Sequence, residues 1–258
     1  MIYVTGDLHS EFQRFAKKQR MHLPFELTED DYIIVCGDFG LLWAKDSRFQ
    51  YDLKWLSNLP FRVLWIQGNH ENYNMIEEYP VEKWKGGKVR HIIREKIILL
   101  ERGQVFKIDE KTFFTMGGAS SNDIQGGILD KKSSTYKRDR MRAIKRGLPY
   151  RVLNETWWPQ ELPKEAELQE GRDNLENVGY QVDYVISHCA SNDLQKKLIN
   201  CLSGTVHRAR TYKYDILTDY FQELENKLQY HHWFCGHYHQ DLCIDQKHTI
   251  LYELIIRV

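Results

Sequence analysis

The 258-residue sequence predicts a layered α/β (α+β) domain, on three observations. Short apolar runs rich in β-branched residues recur between turn residues. Polar–apolar stretches long enough for helices separate several of them. The earliest runs are apolar throughout, as strands buried on both faces are. Strands are predicted over residues 2–4, 32–36, 62–66, 96–100, 105–108, 112–116, 182–186, 232–235, 242–244 and 249–256. Helices are predicted over 11–18, 47–58, 161–177, 192–200 and 217–229.

Composition bounds the function. With 42% hydrophobic and 28% charged residues, seven Trp and fifteen Tyr, the chain can bury a large core and has no disordered or fibrous bias. Thirty-six Lys plus Arg balance 36 Asp plus Glu, so net charge names no partner and any steering of a charged ligand is local. No apolar run approaches the roughly 20 residues of a membrane span, and MIYVTGDLHS reads as a strand and not as a signal peptide. The expectation is a cytoplasmic protein with no membrane partner. Cys36, Cys189, Cys201, Cys235 and Cys243 contain no CxxC pair and are odd in number, which fits free thiols in a reducing compartment.

One stretch departs from this background. Between Asp130 and Arg151 the chain carries Lys131, Lys132, Lys137, Arg138, Arg140, Arg142, Lys145, Arg146 and Arg151 against Asp130 and Asp139. Gly-rich GGASSNDIQGG precedes it and aromatic ETWWPQEL follows. Residues 117–160 are too short and too polar to fold alone, so they read as an excursion from a single 1–258 domain, able to cover its active site.

The chemistry concentrates where predicted strands end. Five of them run into a glycine or serine and then into metal-binding side chains: Gly6-Asp7-Leu8-His9, Gly37-Asp38, Gly68-Asn69-His70-Glu71, Ser187-His188 and Gly236-His237-Tyr238-His239. Strand ends offer side chains to a shared crevice, and glycine permits a sharp exit and close backbone approach. Any one of these is readily a turn or a hydrogen-bonded core histidine. Five together supply a mixed nitrogen and oxygen donor set, without thiolate, that suits Mn, Fe or Zn. In an extended backbone Asp7 and His9, or His237 and His239, would project to one face and reach a common ion.

The order GD-x-H, GD, GNHE, H, GH-x-H resembles the calcineurin-like metallophosphoesterase superfamily, over nearly the whole chain. The resemblance implies a four-layer sandwich of two mixed β-sheets flanked by helices, with the metal site at the C-terminal ends of strands. It implies two divalent or trivalent transition metals, Mn, Fe or Zn, about 3.5 Å apart, and a hydroxide between them that attacks phosphorus in line. Carried over position by position, one metal is held by Asp7, His9, Asp38 and His239 and the other by Asp38, Asn69, His188 and His237. Charge agrees with a bridging Asp38, because a carboxylate spans two cations while offsetting them. A neutral Asn69 oxygen ligates without quenching their Lewis acidity. His70 is left to protonate the leaving alkoxide or stabilise its developing charge.

Related protein serine/threonine phosphatases carry an Asp-Arg pair after the second motif, and this chain reads Phe39-Gly40-Leu41-Leu42-Trp43 there. The partner of His70 is thereby unassigned, and protein dephosphorylation is put in question. Arg138, Arg140, Arg142 and Trp157 are the candidates for substrate recognition, since arginine forks grip phosphate and exposed aromatics stack on bases. Their plainer readings are a solvated charged loop and a packing pair with Trp158. The expected activity is hydrolysis of phosphate mono- or diesters on a small molecule, protein or nucleic acid. A nuclease or nucleotide phosphodiesterase using 131–151 is the alternative within catalysis, and a scaffold without activity is the alternative outside it.

Overall fold

Alternation along the first strand sets the layers. In β1 (Ile2–Thr5), Ile2 and Val4 enter one core and Tyr3 enters another, as the two-residue period of a strand requires. The computed structural model describes residues 1–16, 26–202 and 213–258. It contains two mixed sheets flanked by helices.

The first sheet has the order β15-β1-β2-β3-β6-β5-β4, in which β1, β2 (Tyr32–Val35), β3 (Arg62–Trp65) and β6 (Ile97–Leu100) are parallel neighbours. The antiparallel strands β15 (Ile255–Arg257), β5 (Gly87–Ile93) and β4 (Val81–Trp84) complete its two sides. The second sheet has the order β13-β14-β12-β11-β8-β7. Its parallel centre is β8 (Lys111–Met116), β11 (Tyr184–Ser187), β12 (His232–Cys235) and β14 (His248–Ile250), edged by β7 (Gln104–Ile108) and β13 (Leu242–Asp245).

Three apolar clusters fill the three gaps between four layers. Ile34, Leu64 and Ile98 of the first sheet meet Phe113, Ile186 and Phe234 of the second. Tyr3, Ile33, Val63 and Trp65, on the other face of the first sheet, pack with Phe49 and Leu56 of α1 (Ser47–Ser57). Phe114, Val185 and Trp233 pack beneath α4 (Glu165–Asn177), α5 (Asn192–Leu202) and α6 (Ile216–Lys227) through Leu168, Leu198 and Phe221. Each such side chain contributes about 1.5–3 kcal/mol when buried, against about 0–1 kcal/mol for an exposed ion pair. These clusters therefore hold the sheets in register.

The predicted elements are found with corrections, and the basic segment adds a helix, Tyr136–Lys145, that the sequence reading lacks. The single strand expected over 249–256 is two, because Leu251–Leu254 turns the chain out of the second sheet and β15 joins the first. The helix expected over 11–18 is one short 3-10 turn, Phe12–Phe15, with residues 17 and 18 outside the described residues. Between β3 and β6 the sequence reading has no elements, yet the structure has α2 (Tyr73–Glu77) and the β4–β5 hairpin. In β4 exposed and half-buried residues alternate at a sheet edge, so its apolar signal is weak.

The excursion holds a two-stranded parallel ladder, β9 (Ile128–Leu129) with β10 (Arg151–Val152), and the exposed basic helix α3 (Tyr136–Lys145). It is tied down at both ends. Gly118 N donates to Gln67 O (2.8 Å) at the exit of β3, and buried Arg102 donates to Gln160 O (2.7 Å) and Tyr73 OH (2.8 Å). Trp158 fills the outer core of the first sheet, edge-on to Trp43.

Candidate metal centre

The C-terminal ends of β1, β2 and β3 face those of β11 and β12, and the seven candidate ligands Asp7, His9, Asp38, Asn69, His188, His237 and His239 all lie just past these ends. Asp7, Asp38, Asn69 and His188 are buried, His9 and His237 are half-buried, and His239 is exposed. Close approach depends on the glycines. A Cβ on Gly68 would collide with Asp38 Oδ1, and one on Gly37, itself at φ +97°, would collide with the His188 ring.

Four of the seven ligand candidates have left-handed backbone: His9 at φ 46°, Asp38 at 48°, His237 at 68° and His239 at 51°. Such non-glycine conformations are uncommon and cluster at functional sites. Asp7 and His9 do converge on a common group, but His237 and His239, expected to project to one face, part company. His237 packs against His188, with ring centroids 5.1 Å apart, whereas His239 Nε2 lies 3.0 Å from His9 Nε2.

Among the described residues two groups of donor atoms result, Asp7–His9–His239 and Asp7–Asp38–His188. In the first, His239 Nε2 is 3.2 Å and His9 Nε2 is 3.7 Å from Asp7 Oδ2. Asp7 is common to both groups, and Asp38 Oδ2 of the second, 3.4 Å from His188 Nε2, is also 3.7 Å from His9 Nε2 of the first. Asp38 Oδ1 is committed elsewhere, accepting the His70 backbone N–H at 2.7 Å. Asn69 Oδ1 is 3.2 Å from His188 Nε2. Its inward aim is set by a relay from the excursion. Asn69 Nδ2 donates to Ser121 Oγ (3.3 Å), which donates to buried Glu161 Oε2 (2.6 Å). Neither Ser121 nor Glu161 has a sequence signal beyond the quoted ASSND and WWPQE strings.

Glu71 is fully buried, and its Oε1 accepts the Phe39 N–H (2.9 Å), so it braces the loop that carries Asp38. Burial, reinforced by the Asp38 charge, raises its carboxyl well above the usual range. Cys36, Cys189 and Cys235 are buried, and burial raises all three thiols. They are unsuited to nucleophilic attack.

His70 contacts the basic segment through one residue. An Arg151 guanidinium nitrogen lies 2.9 Å from His70 Nδ1 and 3.0 Å from Nε2, while Arg151 Nε donates to both oxygens of Asp123 at 2.9 Å. Arg138, Arg140 and Arg142 are instead exposed on α3, the first and last beside Asp139 and Arg140 donating to Tyr150 OH (3.0 Å). Trp157 is half-buried, bridging Leu153.

A family model described as calcineurin-like phosphoesterase matches residues 1–241, which include every strand end described above. The chain belongs to the calcineurin-like phosphoesterase family. Membership supports a metal-dependent phosphoester hydrolase. Among solved structures, phosphopantetheinyl hydrolase from Mycobacterium tuberculosis is similar, with TM-score 0.43 and 15% identity over 98% of this chain and 89% of that chain. No curated protein matches.

The residues fit the metals the family implies. Asp7 Oδ2 is buried and accepts no well-formed hydrogen bond despite its imidazole neighbours. Both nitrogens of His188 face acceptors, Nδ1 the Cys36 carbonyl at 2.6 Å and Nε2 the oxygens of Asn69 and Asp38. Burial alone would lower the His188 pKa, but the Asp38 and Asp7 carboxylates outweigh it and push it up to about 9. Burial would likewise raise Asp38, yet His188, His70 and His9 hold it well below the carboxylate range. The metal-free centre thus keeps a proton on His188 Nε2 among oxygen acceptors, and a cation bound there would displace it. Burial and neighbouring His188 push His237 down to about 3, so it offers a neutral nitrogen.

A pH dependence follows. His188 titrates near 9 in the metal-free fold and at about 6.5 when unfolded. A raised pKa stabilises fully below the unfolded value and is lost as pH rises through the folded one, here up to about 3 kcal/mol. The urea midpoint of metal-free protein is expected to fall between about pH 6.5 and 9, and less steeply in His188→Gln. Equal slopes for the two proteins would refute this origin.

Proposed function

We propose that this chain hydrolyses phosphate mono- or diesters at a centre of two transition metals, Mn, Fe or Zn. One metal would be held by Asp7, His9, Asp38 and His239, and the other by Asp38, Asn69, His188 and His237. The observation that carries the reading is Asp38 Oδ2, the oxygen not taken by the His70 backbone N–H, within 3.7 Å of His9 Nε2 and 3.4 Å of His188 Nε2. Such a metal pair supplies Lewis acidity toward phosphoryl oxygens and a more acidic water.

The chain's own residues do the rest. Asp38 offsets the cationic charge and, through Oδ1, fixes the His70 backbone. His188 keeps its Nδ1 proton on Cys36 O, which leaves Nε2 for ligation, the usual division of labour for a ligating histidine. His70, half-buried with its ring centroid 5.3 Å from that of His9, gives its ring N–H to the leaving oxygen as charge develops there.

The nuclease reading draws on α3 and its flank, where Lys131, Lys132, Lys137, Arg138, Arg140, Arg142, Lys145 and Arg146 are exposed. One experiment addresses both. Metal analysis of the purified protein is expected to find about two transition metals per chain, since two-metal hydrolases carry a pair. With Mn, p-nitrophenyl phosphate, its bis ester and single-stranded DNA are compared at equal enzyme. Cleavage of DNA favours the nuclease reading. Less than one metal per chain together with no aryl phosphate turnover overturns the proposed function.

A further inference from the structure

The excursion delivers a buried cation to His70, and nothing in the strand-end motifs accounts for it. Arg151 is only 7% exposed. Its backbone is fixed by the β9–β10 ladder, where Arg151 pairs with Ile128, and by a tight turn in which Val152 N donates to Thr156 Oγ1 (2.7 Å). The guanidinium is then clamped. Nε donates to both Asp123 oxygens, the Asp123 Oδ2 ion pair is 2.7 Å long, and NH1 donates to Thr156 O (2.8 Å). The remaining edge of the fork lies against the His70 ring, 2.9 Å from Nδ1 and 3.0 Å from Nε2.

We propose that Arg151, anchored by Asp123, is the positioning residue for His70, an inference that rests on the reading in which His70 serves the leaving oxygen. Arginine has donors and no acceptor. A neutral imidazole has one in-plane lone pair, on its unprotonated nitrogen, and the other nitrogen carries N–H, so an N–H of Arg151 is accepted by the unprotonated nitrogen only. The engaged ring nitrogen therefore offers its lone pair to Arg151, and the opposite nitrogen carries the N–H that His70 gives to the leaving oxygen. A planar fork held on Asp123 and a backbone carbonyl fixes that orientation in a way a flexible lysine would not. Residues 117–160 are accordingly part of the catalytic apparatus and not an ornament on the sheets. Because the clamp already occupies most of the fork, Arg151 acts through His70 and not by gripping phosphate.

The test compares p-nitrophenyl phosphate, whose leaving group needs little help, with phenyl phosphate, whose leaving group needs more. Arg151→Met is expected to lower kcat on phenyl phosphate about 10–100-fold, the loss typical of an orienting partner, with a several-fold smaller loss on p-nitrophenyl phosphate and little change in KM. Asp123→Asn should shift both in the same direction by less. Asp123 is 45% exposed on its side chain, so this variant carries the test if Arg151→Met does not fold. On a His70→Ala background, neither substitution should lower kcat further. Equal losses on both substrates, a KM-only effect, or additivity with His70→Ala would overturn the proposal. If His70→Ala alone leaves both substrates unaffected, the assigned role of His70 falls and this inference falls with it. If His70→Ala is costly and Arg151→Met is additive, only this inference falls.

Discussion

Asp38→Asn is expected to lower turnover about 10³-fold and to leave less than one transition metal per chain, with the fold retained. Asp38 is 1% exposed at the left-handed exit of β2. Asparagine keeps its shape, tolerates the positive φ and preserves an oxygen for the His70 N–H, so the backbone at both strand ends should hold. The negative charge beside His9 and His188 is lost. Removing one partner from a buried charged cluster costs about 3–5 kcal/mol, and at 1.4 kcal/mol per tenfold that is on the order of 10²–10⁴ in metal affinity. The side-chain amide would also direct N–H donors at imidazole nitrogens that a cation needs. The checks are metal content after dialysis, kcat on p-nitrophenyl phosphate and the far-UV circular dichroism spectrum. A folded variant with two metals and kcat within tenfold of the parent would show that Asp38 does not bridge. The metal-free variant offers an independent reading, because the His188 imidazolium loses its main partner and its pKa should fall from near 9.

The candidate ligands at the strand ends are legible in the sequence because their signal is local. A run of apolar residues, a glycine and a polar side chain stand next to one another in sequence, and the two-sheet core is formed by those same runs. What held these side chains in place was less visible. Ser121, Asp123 and Arg151 come from an excursion whose ladder pairs only Ile128–Leu129 with Arg151–Val152, and Glu161 comes from the turn that closes it. Two-residue strands have no periodicity to read. Among nine basic residues of that segment nothing local marks Arg151, since Arg142 also precedes an apolar pair, and its contact with His70 spans 81 positions. Arg138, Arg140 and Arg142 look equivalent to it in sequence but sit on a helix whose buried residue is Ala143.

The direction of side chains was the other limit. Residue spacing alone projects His237 and His239 to one face, and the left-handed backbone at both sends them to different neighbours. Glu71 shows the converse. Next to His70 in the motif, it has no role that the sequence assigns, and it lies fully buried against the Phe39 amide and serves the loop. A conformation selected by tertiary contacts, such as φ 48° at Asp38, leaves no mark in the local sequence that distinguishes it from an ordinary turn.

His70→Ala is expected to keep both metals and lose about 10²–10³-fold in kcat on phenyl phosphate, the range seen when one donor to a developing oxyanion is removed. The reasons for retained metal are geometric. His70 belongs to neither group of donor atoms, and the contact that ties it to Asp38 uses its backbone N–H, which alanine keeps. The reasons for lost turnover are its position and its neighbours. The half-buried ring stands beside His9 and against Arg151. An N–H given to the leaving oxygen matters more as that oxygen becomes more basic, so the loss should be greatest for alkyl and phenyl esters and least for p-nitrophenyl phosphate. KM should move little, because the interaction forms as the bond breaks. Comparable kcat for parent and variant on phenyl phosphate, with two metals bound in each, would remove His70 from the chemistry and return it to the turn that Gly68 and Asn69 make.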